Sequence, residues 1–188
     1  MNMNENTRLF QILFISHIVI FIGILLILLV AFGWQIILYQ LPCPLCLLQR
    51  IGFFCMAFGL LMNMRFGFRP SHYAIILISA MYTSLVALRQ ITLHILPGTD
   101  SPNSTIFHWH LYTWSFIAAN IIIILTTLML SLDQQYQTNI ISSRLKLSKI
   151  FFVILILMII INFVGVIFEC GLGACPVIPT HYLLLAGH

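Results

Sequence analysis

Five stretches of this chain are long and apolar enough to cross a bilayer, and nothing else in it restricts the fold as strongly. Residues 9–32 carry no charge, 45–64 carry one (Arg50), 73–93 carry one (Arg89), and 112–132 and 150–168 carry none. A spanning helix needs about 20 such residues. Only 6% of the 188 residues are charged and 61% are hydrophobic, where a soluble domain carries about 25% charged residues. The expectation is an all-α membrane protein: one membrane-embedded domain over residues 1–188, a bundle of five transmembrane helices with no room for a separate soluble domain. Loops of about 7 to 18 residues set successive spans antiparallel. The first span is too long for a cleaved signal peptide and lacks a small-residue cleavage site. The uniform Ile/Leu runs, such as Ile121 to Leu125 and Val153 to Ile161, do not show which faces meet lipid. Gly52, Gly59, Ser79 and Ser84 are candidate close-contact points.

The net charge of +4 is an orientation signal rather than a sign of nucleic-acid binding. Arg8 precedes span one, Arg65 and Arg69 lie between spans two and three, and Arg144, Lys146 and Lys149 lie between spans four and five. By the positive-inside rule that side is cytoplasmic. The N-terminus is then cytoplasmic and the C-terminus periplasmic, with the loops at 33–44 and 94–111 and the tail from Glu169 facing outward. Trp34, Tyr39, Trp109, Tyr112 and Trp114 fall at that outer boundary, as an interfacial aromatic belt would. Arg89, on the outer half of span three, either snorkels to the surface or faces the bundle interior.

The cysteines follow this asymmetry. Cys43 and Cys46 open span two and Cys170 and Cys175 follow span five, so both pairs are expected on the oxidising, periplasmic side. Cys43-Pro44-Leu45-Cys46 runs directly into an apolar helix, where free N–H groups and the helix dipole favour thiolate. Pro44 suits the first turn, where no N–H is needed. Arg50 lies four residues past Cys46 on the same face, placed to stabilise a thiolate and an anion developing on a bound acceptor. A two-residue spacer closes so small a loop that a disulfide there adds little chain-entropy stabilisation; the pair makes more sense as a redox couple than as a staple. Zinc or copper ligation is the remaining alternative. In Cys170-Gly171-Leu172-Gly173-Ala174-Cys175 two glycines give a spacer able to close a small ring and to move, either as a shuttle disulfide on a mobile arm or as a structural tie. Cys55, roughly 13 Å deeper along the helix, is read as packing.

Among the histidines, His108 and His110 flank Trp109 and form a His-x-His, read as interfacial hydrogen bonding with metal ligation as the alternative. His94, beside Pro97-Gly98, is placed where a quinone headgroup would be met. His17, His72, His181 and His188 carry no readable signal.

These residues resemble a known family. A CxxC at the outer start of the second span, with arginine four residues after its second cysteine, is similar to the disulfide bond formation protein B (DsbB) family, most closely over Cys43-Pro44-Leu45-Cys46-Leu47-Leu48-Gln49-Arg50. The resemblance covers about residues 9–132. It implies a bacterial inner-membrane enzyme that reoxidises a periplasmic DsbA-like thioredoxin-fold dithiol protein and passes the electrons to ubiquinone or menaquinone. It also implies that Cys46 faces the quinone, Arg50 holds the headgroup, and Cys43 forms the transient link to the second pair. Better-known members have four spans and keep that second pair between spans three and four. Here that loop reads Ser101-Pro102-Asn103-Ser104 and has no cysteine, so Cys170 and Cys175 are expected as a relocated shuttle pair on a fifth span.

Two other readings compete. A vitamin-K-epoxide-reductase-like protein shares the chemistry, but its active pair usually lies on a later span. A metal-handling membrane protein would use Cys43, Cys46, His108 and His110 as ligands, yet Arg50 beside the site would repel a cation.

Overall fold

The computed structural model describes residues 3–37, 42–95, 105–106, 108–133, 136 and 145–171. Five helices account for nearly all of them: α1 Met3–Ile37, α2 Pro44–Phe66, α3 Pro70–Leu93, α4 Leu111–Leu130 and α5 Leu145–Cys170. By length and composition all five can cross a membrane. A two-stranded antiparallel ribbon, β1 Thr105–Ile106 and β2 Trp109–His110, precedes α4. Between its strands His108 has φ +67°, a left-handed conformation that histidine tolerates better than most residues.

Cross-helix contacts fix the topology. Gln49 meets Gln90 and Asn63 meets His72, so α2 and α3 are antiparallel. His17 meets Asn63 and Arg50 meets Ala31, which sets α1 against α2 in the same way. Asn120 donates to Ser84 across α4 and α3. The Phe21 and Phe151 rings lie 4.9 Å apart and a Cβ on Gly165 would lie 3.7 Å from Gln35 Nε2, so α5 runs parallel to α1. Arg8, Arg65, Arg69 and Lys149 therefore share one end of the bundle, while Cys43, Cys46 and Cys170 share the other.

The second helix is the centre. Its apolar span is 61% buried, against 11% for that of α5, which lies on the rim. Gly52 and Gly59 allow α3 to approach. A Cβ on Gly52 would overlap Thr83 Oγ1, and one on Gly59 would sit 2.7 Å from Ile76 Cγ1 and 3.2 Å from the His72 carbonyl. Both glycines are thus the close-contact points expected of them. Toward the basic end a buried polar chain pins three helices. His17 donates through Nδ1 to Leu13 O (2.7 Å) and accepts at Nε2 from Asn63 Nδ2 (3.1 Å), while Asn63 Oδ1 accepts from His72 Nδ1 (3.1 Å). Neither histidine had offered a signal in the sequence, and each proves to be a partner of the one asparagine.

Toward the cysteine end, two helices run further than expected, and α1 and α5 also begin earlier, at Met3 and Leu145. The first helix continues to Ile37, so residues 33–37, expected in an outer loop, are helical. Gly33 costs a helix only about 1 kcal/mol and no proline intervenes before Pro42. The fifth continues to Cys170 and stops where Gly171 takes φ +62° and donates to Ile167 O at 2.9 Å, a left-handed helix end that glycine permits. Cys170 is thus the last residue of a helix and buried; the stretch expected to form a mobile arm lies, after Gly171, outside the described residues.

Candidate functional site

Pro44 occupies the first turn of α2 and Cys43 is its N-cap. The Cys43 sulfur accepts from the Cys46 N–H at 3.2 Å, in the role usually filled by a Ser or Asp oxygen. The two sulfurs lie 2.6 Å apart and both residues are free thiols. The Cys46 sulfur beside it, then burial, push the Cys43 thiol well above its ordinary range.

A residue overlooked in the sequence holds the pair. Gln90 of α3, fully buried, donates through Nε2 to the Cys43 sulfur at 3.2 Å and to the Cys46 sulfur at 3.4 Å. Its Oε1 accepts from Gln49 Nε2 at 2.7 Å, which fixes the carboxamide so that its donor points at sulfur. The charged neighbour Arg89 is exposed, the snorkelling alternative of the two considered. The available signal was phase: Ile76, Ala80, Thr83, Ala87 and Gln90 are all buried and recur at three- and four-residue steps along one face.

Arg50 is 6% exposed, donating through Nη1 to Gln35 Oε1 (2.7 Å) and through Nη2 to Ala31 O (3.0 Å), with its guanidinium 4.9 Å from the Phe32 ring centre. The extra residues of α1 supply Gln35, while Ala31 and Phe32 lie in the span already expected. Glu169, next to Cys170, is 1% exposed, and its Oε2 has no hydrogen-bond partner among the described residues. It lies one turn beyond Gly165, on the α5 face turned toward Gln35, and feels the charges of Arg50 and Cys46.

A cleft of about 90 Å³ joins these groups, walled by Leu28, Trp34, Phe53 and Tyr112 and reached by Cys43, Cys46, Gln49, Arg50 and Gln90. Apolar walls around a guanidinium and carboxamides suit a flat ring bearing carbonyl oxygens. Trp34 and Tyr112, expected in an interfacial belt, wall the cleft instead, while Trp109 and Trp114 are exposed and pack on each other. Tyr112 stacks between His94 (5.6 Å) and His110 (5.0 Å). His94 donates to Gln90 O at 2.8 Å, and His110 Nδ1 is buried without a partner among the described residues.

Of the expected site residues, Cys43, Cys46 and Arg50 come together. Cys170 is disulfide-bonded, and Cys175 lies outside the described residues, as does Tyr39. Cys55 faces outward rather than into the helix packing. Among the described residues no three Cys, His, Asp or Glu side chains are gathered to hold a metal ion.

No curated protein and no solved structure matches the chain. Residues 15–104, which carry the later part of α1 and all of α2 and α3 with both cysteines of the CxxC, Arg50, Gln49 and Gln90, match the family described as disulfide bond formation protein DsbB, a match that ends before α4 and does not reach Cys170.

Proposed function

We propose that the protein is a quinone-linked thiol oxidoreductase of the bacterial inner membrane, its cleft end facing the periplasm and its basic end the cytoplasm. The single observation that carries this reading is the dithiol at the α2 N-terminus, held by two donations from Gln90 at the edge of an apolar cleft containing Arg50. The DsbB match over residues 15–104 supports it.

In the proposed cycle a reduced DsbA-like thioredoxin-fold protein gives up two thiol protons and two electrons and becomes a disulfide. The disulfide of Cys170, with Cys175 as its proposed partner, is reduced by it. Thiol–disulfide exchange then passes the electrons to Cys43–Cys46, each exchange forming one S–S bond and breaking another. A bound ubiquinone or menaquinone would supply the two-electron, two-proton acceptor that closes the cycle as the Cys43–Cys46 bond re-forms. Arg50 would hold the carbonyl side of that ring. Within the pair, Gln90 donates to whichever sulfur carries charge, and the first turn of α2 adds its N–H groups. Leu28 and Phe53, both nearly inaccessible, keep water from the inner wall.

The test is turnover of purified protein with excess quinone and a reduced periplasmic-type dithiol protein, followed by quinone absorbance. Cys46→Ser and Cys170→Ser should abolish it and Arg50→Ala should weaken it. If Cys170→Ser turns over like wild type, the C-terminal cysteines are a structural tie and the relay is wrong. If no variant or wild-type protein turns over and one equivalent of metal co-purifies, the site handles metal.

A further inference from the structure

A second and larger cavity, about 570 Å³, lies at the other end of α2, between its last turns and the first turns of α5. It is unrelated to the dithiol: Cys46 and Arg65 are 19 positions apart on one helix, roughly 28 Å at 1.5 Å per residue. Both helices that form it are graded in the same direction. Along α2, Arg65 stands at the end, with Leu61 and Phe58 one and two turns further in. Along α5, Lys149 stands near the start and Phe152 and Val153 follow one turn in. The lining therefore presents two cations at one level and an apolar surface beyond them, with no carboxylate among its described residues.

Two further features point to a ligand. Arg65 Nη1 is buried and has no hydrogen-bond partner among the described residues, and an unsatisfied buried donor is costly, more so on a charged group. The apolar part of the groove is open sideways, Phe58, Phe152 and Val153 being 42%, 45% and 56% exposed on helices long enough to span a bilayer. A diacyl lipid would reach it along the membrane plane. Basic pockets between spans at a membrane face recognise anionic headgroups in this way.

We propose that this groove binds one anionic phospholipid, its phosphate held between Arg65 and Lys149 and its acyl chains lying along Phe58, Leu61, Phe152 and Val153. The assignment does not depend on the redox reading of the cleft. An attraction of ordinary strength for a surface cation is about fivefold in affinity for each residue, so about 30-fold for the two.

Native mass spectrometry of the full chain released from detergent, titrated in parallel with cardiolipin, phosphatidylglycerol and phosphatidylcholine, tests it. The expected result is one retained anionic lipid per chain in preference to phosphatidylcholine. In Arg65→Gln/Lys149→Gln that preference should fall about 30-fold. Arg69→Gln, an exposed cation at the same end that does not line the groove, should leave it unchanged. Equal retention of phosphatidylcholine by wild type, an undiminished preference in the double variant, or an equal loss in Arg69→Gln would each overturn the proposal. So would a dimer that the double variant abolishes, which would assign the groove to a second copy of the chain.

Discussion

Gln90→Leu should be the most informative single change in the cleft. The side chain is close in volume, so the buried stripe of α3 stays filled, but the carboxamide that donates at 3.2 and 3.4 Å to the two sulfurs is gone. A hydrogen bond to a charged group contributes about 1.5–3 kcal/mol. Thiol–disulfide exchange puts that charge on sulfur as attacking or leaving thiolate, so the loss falls on the reactive state. At 1.36 kcal/mol for each tenfold, turnover should drop about 10- to 150-fold. Gln49→Leu removes only the 2.7 Å bond that orients Gln90. A neutral hydrogen bond contributes about 0.5–1.5 kcal/mol, which predicts a loss of about 2- to 13-fold. Because Gln49 reaches the sulfurs only through Gln90, the double variant should resemble Gln90→Leu alone rather than multiply the two effects. The assay is quinone absorbance under saturating dithiol protein, with thermal midpoints in detergent confirming that each variant is folded. A Gln90→Leu protein within twofold of wild type, or a Gln49→Leu protein more impaired than it, refutes the idea that Gln90 serves the dithiol.

Three further outcomes are expected. Glu169→Gln combined with Arg50→Gln should show a coupling of about 0.5–3 kcal/mol in turnover, whereas strictly additive losses would mean the carboxylate does not act on Arg50. Asn63→Ala deletes the hydrogen bonds to both His17 and His72; His72 Nδ1 keeps the Gly67 carbonyl but His17 Nε2 is left unsatisfied, so the protein should lose about 1–3 kcal/mol, read as a lower thermal midpoint; an unchanged midpoint would show that the network contributes nothing. Gly59→Ala would put a Cβ 2.7 Å from Ile76 Cγ1 and should destabilise by about 1–3 kcal/mol, while Gly23→Ala, with nothing within 4 Å, should leave the midpoint unchanged or raise it; the reverse order would contradict the α2–α3 packing.

The five spans were legible because crossing a bilayer demands only length and apolarity, which a window of sequence displays directly. The reactive pair was legible because cysteine spacing, a proline and an arginine coincide within eight residues. What stayed hidden depends on direction rather than composition. Arg89 drew attention as a charge in an apolar run yet faces outward, while its neighbour Gln90, one residue and about 100° further round the helix, faces the sulfurs. Trp34 and Tyr112 have the composition of an interfacial belt, and only the continued turns of α1 and the stacking of Tyr112 on His94 and His110 bring them to the cleft. Nor do the Ile/Leu runs of α4 and α5 mark a face, because lipid and protein interior are equally apolar to them.

The fifth helix shows why burial and function separate in this bundle. With 11% of its apolar span buried, α5 contributes little to the core, yet its last two residues are enclosed: Glu169 is 1% exposed and Cys170 5%. Packing does not account for a carboxylate at that point. Burying a charge costs several kcal/mol unless an opposite charge is near, and an apolar residue of similar size is often neutral or stabilising in its place. The nearby opposite charge is Arg50, itself held by Gln35 and Ala31 of α1, so three helices converge on one guanidinium beside the dithiol. The same turn carries Cys170 and its disulfide. A helix that adds little to stability while placing a buried carboxylate and a disulfide-bonded cysteine at the cysteine end of the bundle is better explained by the chemistry of that end than by the needs of the fold.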